Sequence, residues 1–244
     1  SDKKIEIPLN DTQSLFIRGK IDRIDLLETE KGYHLGIVDY KSSAQKFDIN
    51  RLRYGIQLQL LTYLSVARNI VSVQFNKAVT PYGGLYMHVF QPSFNAKDIK
   101  ADADFEETRL KKYKLSGLLT NDLGVLQQVQ PDFETGDSIV LPFGVKKDGE
   151  YKATSQVYAP DDINLLMDFA FYQLKTAGEK ILNGENQLAP FDELKEYADS
   201  VNGKFSAIAM FDATNPENNY QFLTKMPLQE NLTWMREKLN GKEA

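Results

Sequence analysis

The sequence predicts an α/β fold of the α+β kind, in which helices follow a β-sheet formed early in the chain. Three closely spaced apolar runs, at residues 5–9, 15–27 and 33–40, have strand character and predict an antiparallel meander. From residue 50 to residue 71 the apolar positions instead recur at steps of three and four, which predicts a helix with Asn50 as its candidate N-cap. The change of period separates a sheet-forming segment from a helical one.

Further elements are predicted along the rest of the chain. In order, they are a turn at 81–84 followed by a strand at 85–90, a charged helix at 104–114, a hairpin of 138–145 and 150–157, a long amphipathic helix at 160–182 and a terminal helix at 232–239. The long helix has the clearest signals, because proline and two aspartates open it and Gly184 follows its end. We expect this helix to serve mainly in packing.

Composition narrows the classes of function. With 244 residues, 42% hydrophobic and 26% charged, the chain resembles an average globular protein. No apolar run reaches the roughly 20 residues of a membrane helix, and the first residues lack the apolar core of a signal peptide, so we predict a cytoplasmic protein with no membrane partner. Because the chain has no cysteine and two histidines, thiolate zinc sites, cysteine-ligated clusters and cysteine nucleophiles are excluded.

One pair of short motifs could carry chemistry: GKIDRID at 19–25 and GIVDYKSS at 36–43. Side chains two apart on a strand share a face, so Asp39 and Lys41 project together while Tyr40 points away. If the two runs pair as a hairpin, Asp22 stands near Asp39. Two carboxylates facing each other favour a hard divalent cation between them, and oxygen ligands suit Mg²⁺ or Mn²⁺.

A purely structural interpretation of these residues is also open. The tripeptide [DE]-x-K occurs five times in the chain, and Asp39 with Lys41 could form a surface ion pair worth at most about 1 kcal/mol. Only this copy, however, ends an apolar strand that is followed by an amphipathic helix. On that helix Gln59 and Tyr63 are four residues apart and share a face, although a boundary glutamine and a core tyrosine would show the same spacing.

Taken together, these segments resemble the PD-(D/E)xK nuclease superfamily, and in particular its RecB-like nuclease domains. The strand IDRID, the strand end DYKS and the helix pattern Q-x-x-x-Y are similar to the motifs of those domains. The order of further segments resembles the C-terminal domain of the AddB/RexB subunits of bacterial ATP-dependent helicase/exonuclease complexes. These segments are GGLYMHVF (83–90), YKLSGLL (113–119), ILNG (181–184) and FDATNPENNYQFL (211–223).

The resemblance implies a fold and a domain organisation. It implies a restriction-endonuclease-like core with a central mixed β-sheet flanked by helices, together with additional helical and hairpin segments. We expect a single nuclease domain over 1–244, with the core motifs in 14–91 and the additional segments in 92–244. Because related domains place a helix ahead of the first strand, we expect the chain to be a fragment of a larger subunit, which could leave its isolated activity weak or absent.

The resemblance also implies roles for individual residues. Asp22 and Asp39 would be metal ligands, joined by the backbone carbonyl of Tyr40. Lys41 would position the attacking water and stabilise charge on the phosphate, and Gln59 and Tyr63 would support the site from the helix. Three arginines near these motifs would suit contacts with a single DNA strand: Arg23, Arg51 and Arg53. His88 could approach the site, but a structural histidine is the commoner case.

The function implied is Mg²⁺- or Mn²⁺-dependent exonucleolytic hydrolysis of a DNA strand, within a helicase-nuclease that acts in double-strand break repair by recombination. The partners implied are DNA and an AddA/RexA-like helicase-nuclease subunit. Many relatives carry cysteines for an iron–sulfur cluster near the C-terminus, where this chain has Ser200, Gly203 and Ala209, so we expect no cluster. The alternative is a catalytically inactive nuclease fold that binds DNA or scaffolds the helicase partner.

Overall fold

A computed structural model describes residues 5–89, 110–187, 189–191, 210–212, 214–215 and 218–241. Its centre is a five-stranded mixed sheet flanked by helices, which confirms the predicted fold class. The strands are β1 (Ile5–Pro8), β2 (Ser14–Ile17), β3 (Arg23–Thr29), β4 (Gly32–Lys41), β5 (Val79–His88), β6 (Ser116–Thr120), β7 (Gly136–Asp137), β8 (Gly144–Val145) and β9 (Val157–Tyr158). The helices are α1 (Ile49–Arg53), α2 (Leu58–Phe75), α3 (Leu123–Val129), α4 (Pro160–Leu182) and α5 (Leu228–Leu239).

The central sheet has the strand order β3-β4-β5-β6-β9. β3 and β4 form an antiparallel hairpin in which Arg23 lies opposite Val38. β4 and β5 run parallel, so the chain returns through α2, as a parallel pair requires a crossover connection. The carboxyl ends of β4 and β5 therefore meet at one edge of the sheet, where Lys41 lies opposite His88.

Each face of the sheet packs against its own apolar cluster. Leu35 and Ile37 of β4 contribute to a cluster on one face, where α2, α4 and α5 pack. Val38 of the same strand contributes to a second cluster on the other face, together with residues of α3 and the 133–145 segment. Because alternate residues of β4 are buried on opposite faces, the strand is an apolar run rather than an alternating one.

The predicted meander forms only in part. The apolar run 15–27 is divided between β2 and β3, and β2 pairs with β1 in a separate two-stranded sheet. Gly19 and Lys20 lie in the irregular connection, and a Cβ at position 19 would lie 2.7 Å from the hydroxyl of Tyr63. The backbone at Gly19 therefore passes directly over the side chain of Tyr63 in α2, and β2 and β3 do not form one continuous strand.

The helix predicted from 50 to 71 is two helices, α1 and α2. Gln57 between them has a left-handed backbone with φ of 63°, and its side chain bonds the carbonyl of Lys46 and the N–H of Asp48 at 2.8 and 3.0 Å. The N-cap of α1 is Asp48, whose carboxylate accepts from the N–H of Asn50, so the predicted cap at Asn50 was wrong by two residues.

The Pro81–Gly84 segment, predicted to be a turn, lies inside β5 and is buried. A Cβ at Gly83 would lie 2.6 Å from the carbonyl oxygen of Leu118, and a Cβ at Gly84 would lie 3.0 Å from Leu60. The two glycines thus allow β6 and α2 to approach β5 closely, which is the other common use of glycine in a strand.

The C-terminal elements follow the predictions more closely. α4 covers 160–182 as predicted, and the predicted hairpin turn is present, with the N–H of Lys146 bonded to the carbonyl of Glu150. The strands predicted on either side of it do not form a ladder, because only Val145 and Tyr151 make an isolated bridge, while β8 pairs with β7 and β9 joins β6 in the central sheet. The terminal helix begins at Leu228 rather than at 232, directly after Pro227. Of the helix predicted at 104–114, residues 104–109 lie outside the described residues, and 110–112 are helical. No helix in the described residues is long and apolar enough to cross a membrane.

Candidate active site

The carboxyl end of β4 carries a buried acid beside a lysine. Asp39 is 4% exposed, and its Oδ2 lies 2.7 Å from the Nζ of Lys41. Tyr40 between them is 44% exposed and projects from the opposite face, as strand alternation requires. The Lys41 side chain is 26% exposed, so its ammonium group lies at the boundary between the buried carboxylate and solvent.

The first turn of α2 holds Lys41 from above the sheet. Nζ of Lys41 donates to Oε1 of Gln59 at 2.6 Å, and Nε2 of Gln59 donates to the hydroxyl of Tyr63 at 3.2 Å. The spacing of four residues places both side chains on the face of α2 that meets the sheet edge. Leu60, Leu61 and Leu64 are fully buried and fix the helix against the sheet. The structure therefore brings these residues together in a chain of polar contacts from Asp39 to Tyr63.

Asp22 reaches the same edge from the neighbouring strand. It directly precedes β3, and its Oδ2 accepts a hydrogen bond at 3.0 Å from the N–H of Tyr40. Because Arg23 pairs with Val38, continuing the antiparallel register by one step sets Asp22 opposite Asp39. The carboxylate of Asp22, directly before β3, and that of Asp39 in β4 thus lie at the end of one hairpin.

The chemistry of these donors fits a hard divalent cation. Oδ2 of Asp39 is buried and has no hydrogen-bond partner in the part of the chain that the structure describes, and its one close contact of opposite charge there is the ion pair with the Nζ of Lys41 at 2.7 Å. A buried carboxylate oxygen without a hydrogen bond is costly unless a charge compensates it. Asp22, Asp39 and the carbonyl of Tyr40 are all oxygen donors, which Mg²⁺ and Mn²⁺ prefer. Among the described residues, no group of three or more Asp, Glu or His side chains forms a metal-binding cluster.

Two residues of β5 complete the surroundings of this pair. Tyr86 lies opposite Asp39 in the parallel register, and its ring centroid is 5.7 Å from the Nζ of Lys41. Burial, and then the charge of Asp39, raise the pKa of Tyr86, so the phenol stays neutral beside the carboxylate. His88 lies opposite Lys41, and its Nε2 is 3.1 Å from the carbonyl oxygen of Ser42. Tyr86 was not among the predicted site residues, although strand alternation in LYMH places it on the same face as His88, two residues away.

The family of this chain is shown by its similarity to known proteins. The sequence profile of the PD-(D/E)XK nuclease superfamily matches residues 3–193, which is most of the chain. The chain belongs to the PD-(D/E)XK nuclease superfamily. It is also 31% identical over 239 residues to the B-type subunit of the ATP-dependent helicase/deoxyribonuclease from Bacillus thuringiensis (strain Al Hakam), Bacillus cereus (strain G9842) and Bacillus anthracis. In each case the match covers 97% of this chain, but the chain spans only 20% of the relative's length.

The three arginines expected near the PD-(D/E)XK motifs have different environments. Arg23 is exposed and bonds Asp25 at 2.7 Å, and this hydrogen bond raises the pKa of Arg23. Arg51 lies in α1 and is partly exposed. Arg53 is 7% exposed, so the expectation that it flanks an open channel does not fit its surroundings.

Arg53 instead joins α1 to the C-terminal segment. Its guanidinium donates to the carbonyl and the hydroxyl of Thr224, and it stacks near the ring of Tyr54 at 4.9 Å and that of Trp234 at 5.8 Å. These contacts connect residues about 170 positions apart, which local sequence patterns do not reveal. Arg53 thus has a structural role in this PD-(D/E)XK domain.

Proposed function

We propose that this chain is the nuclease domain of a helicase-nuclease, and that it hydrolyses phosphodiester bonds of a DNA strand with Mg²⁺ or Mn²⁺. The proposal is supported by membership of a nuclease superfamily and by one observation above all. The buried Oδ2 of Asp39, which lacks a hydrogen bond, lies 2.7 Å from the Nζ of Lys41. Asp22 lies at the same edge of the sheet, where its carboxylate accepts from the N–H of Tyr40. A structural ion pair does not need a second carboxylate on the neighbouring strand.

In this proposal the acidic residues and the lysine have separate roles. Asp22, Asp39 and the carbonyl of Tyr40 hold the divalent ion, which when bound neutralises charge on the phosphate and activates water as a nucleophile. Lys41 stabilises the negative charge that develops on the phosphate oxygens. Gln59 fixes the Lys41 ammonium through the 2.6 Å hydrogen bond, and Tyr63 in turn orients Gln59. Tyr86 closes the buried side of Asp39.

The wider setting follows from the relatives. Because the similar proteins are named as one subunit of an ATP-dependent helicase/deoxyribonuclease, we propose that this domain works with a helicase-nuclease partner subunit. In that complex the domain would cut a strand that unwinding delivers, as an exonuclease in double-strand break repair by recombination. The chain spans about a fifth of those relatives, so ATP-driven unwinding would belong to the remainder of the longer protein or to its partner.

A cleavage assay tests the enzymatic part of the proposal. Labelled single-stranded and duplex DNA are incubated with the chain and Mn²⁺ or Mg²⁺, and Asp39→Asn and Lys41→Ala are compared with the unmodified chain. We expect both substitutions to abolish cleavage. Because removing Lys41 leaves a buried charge that can cost about 3–5 kcal/mol, circular dichroism must show that each variant is folded, and Lys41→Gln serves as a milder second variant. Cleavage retained in the folded variants would refute the proposal.

A second candidate function is supported by two observations. Lys41 already neutralises Asp39, and the described residues contain no cluster of three acidic or histidine side chains. Both facts suit a nuclease fold that binds DNA or scaffolds the helicase partner without cutting. Calorimetry separates the two functions, since saturable Mn²⁺ binding that Asp39→Asn removes supports the nuclease, and its absence supports the inactive module.

A further inference from the structure

Two exposed cations lie in the connection between β2 and β3, which comprises residues 18–22. Arg18 and Lys20 lie on either side of Gly19, and both side chains are exposed. Within the described ranges of the chain, neither of them makes a hydrogen bond or an ion pair. The chain has 34 acidic and 29 basic residues, so acidic partners are in excess, yet these two cations are unpaired. We call Arg18 and Lys20 the basic pair.

The backbone of this connection is fixed against the candidate active site. A Cβ at Gly19 would lie 2.7 Å from the hydroxyl of Tyr63, so the backbone there lies on the last member of the polar chain of the site. Two residues later, Ile21 packs against the apolar cluster to which α2 contributes. Asp22 then accepts a hydrogen bond from the backbone of β4 at 3.0 Å. Because the neighbours of the basic pair are all in contact, the pair is held beside the site.

The basic pair lies within a few nucleotide spacings of the proposed metal ligands. An extended chain advances at most about 3.6 Å per residue, so the Cα of Lys20 is at most about 7 Å from that of Asp22, and the Cα of Arg18 at most about 14 Å. A DNA strand carries one phosphate for about 3.4 Å of helix axis. Phosphates up to about four positions from the one held at Asp22 and Asp39 therefore come within reach of the two side chains.

The chemistry of the basic pair suits phosphate oxygens. Guanidinium and ammonium groups only donate hydrogen bonds, so a cation without a protein partner offers all of its donors to an anion. Asp22 is the one acid of residues 18–22, and its carboxylate accepts from the N–H of Tyr40 and forms no ion pair with Lys20. The connection therefore presents positive charge to solvent at the edge that carries the candidate active site, which favours a polyanion there.

From this placement we infer that the basic pair binds the phosphate backbone of the DNA strand within a few nucleotides of the bond that is cut, on the side of the site where α2 lies. The inference rests on the proposed function, because it takes the substrate to be DNA. Gly19 allows the backbone to lie close to Tyr63, and Arg18 and Lys20 hold the strand beside it. The pair contributes to affinity and takes no part in bond cleavage.

The test measures DNA binding in the presence of EDTA, so that cleavage does not interfere. Anisotropy of a fluorescein-labelled oligo(dT) is followed against salt for the unmodified chain and for the neutral variant Arg18→Gln/Lys20→Gln. One control, Lys31→Gln/Lys77→Gln, removes the same charge from exposed residues at the opposite end of the sheet, at the β3–β4 turn and just before β5. A second control, Arg18→Lys/Lys20→Arg, exchanges the two cations and keeps their charge. Thermal melting verifies that all three variants remain folded.

We expect the neutral variant to reduce the slope of log K against log salt by about 1.4, or about 0.7 for each ion pair with a phosphate that the substitutions remove. Extrapolated from about 1 M salt, this change makes binding about 25-fold weaker at about 0.1 M salt. Both controls should keep the slope of the unmodified chain. A mixed-sequence oligonucleotide should respond as oligo(dT) does, because contacts with phosphate carry no sequence information.

Equal slopes for the neutral variant and the Lys31→Gln/Lys77→Gln control would overturn the inference while leaving the proposed function in place. In the Mn²⁺ cleavage assay, the neutral variant should match the unmodified chain at saturating DNA, and a lower rate there would also count against a role in binding alone. No salt-dependent binding by the unmodified chain would overturn both the inference and the proposed function.

Discussion

Replacing Gln59 by leucine tests whether the helix truly positions Lys41. The substitution removes the acceptor of the 2.6 Å hydrogen bond from Lys41 Nζ and the donor to the Tyr63 hydroxyl, but it keeps side-chain volume and helix propensity. A hydrogen bond to a charged group contributes about 1.5–3 kcal/mol. Because Gln59 is exposed, we assign its hydrogen bond with Lys41 a contribution just below this range, about 1–1.4 kcal/mol. Losing that contribution in the transition state corresponds to a cleavage rate reduced by about fivefold to tenfold.

The assay is single-turnover cleavage of end-labelled single-stranded DNA in Mn²⁺, with enzyme in excess so that the chemical step is observed. Gln74→Leu is the matched control, since Gln74 is an exposed glutamine near the other end of α2. We expect Gln59→Leu to cleave more slowly with unchanged DNA affinity, and Gln74→Leu to match the unmodified chain. Equal rates for the two variants would refute the argument that Gln59 positions Lys41.

Three further predictions concern the fold. Arg53→Met should lower the free energy of unfolding by about 2–3 kcal/mol, because its bonds to Thr224 are lost, yet leave oligo(dT) affinity unchanged; weaker DNA binding at full stability in urea titrations would contradict this. Gly83→Ala should cost about 1–3 kcal/mol, since its Cβ would meet the Leu118 carbonyl; an unchanged urea midpoint would argue against that close approach. Burial raises the pKa of Tyr82 and Tyr158 to about 12, from 10.0 for a free tyrosine. The contribution of these two tyrosines to the free energy of unfolding is fully present below about pH 10. It is lost as the pH rises towards 12, because their phenols ionise at lower pH in the unfolded chain than in the folded one. Alkaline unfolding followed by tyrosinate absorbance, with Tyr158→Phe as comparison, measures this loss.

The part of the site that lies on regular elements could be predicted from the sequence. Strand alternation alone set Asp39 and Lys41 on one face with Tyr40 on the other, and the hairpin register brought Asp22 to the same end. Helical spacing set Gln59 and Tyr63 on one face of α2. In each case the geometry follows from a period of 2 or 3.6 residues over a few positions, which the sequence expresses directly.

What the sequence did not reveal depends on contacts between distant segments. The break before α2 is held by the side chain of Gln57 bonding back to Lys46 and Asp48, and the glycines of β5 allow close packing rather than a turn. Arg53 was expected at the site because of its position in the chain, whereas its partner Thr224 lies in a segment with no recognisable local pattern. Tertiary contacts of this kind override local propensity.

Asp22 and Asp39 are proposed to share a divalent cation beside Lys41, and a manganese-soaked crystal would reveal that ion. Anomalous diffraction at the manganese edge is recorded from crystals of the unmodified chain and of Asp39→Asn. The proposal predicts an anomalous peak within coordination distance of both carboxylates, and its loss in Asp39→Asn. A soaked crystal with no peak between these residues, or with the same peak in the variant, would contradict it.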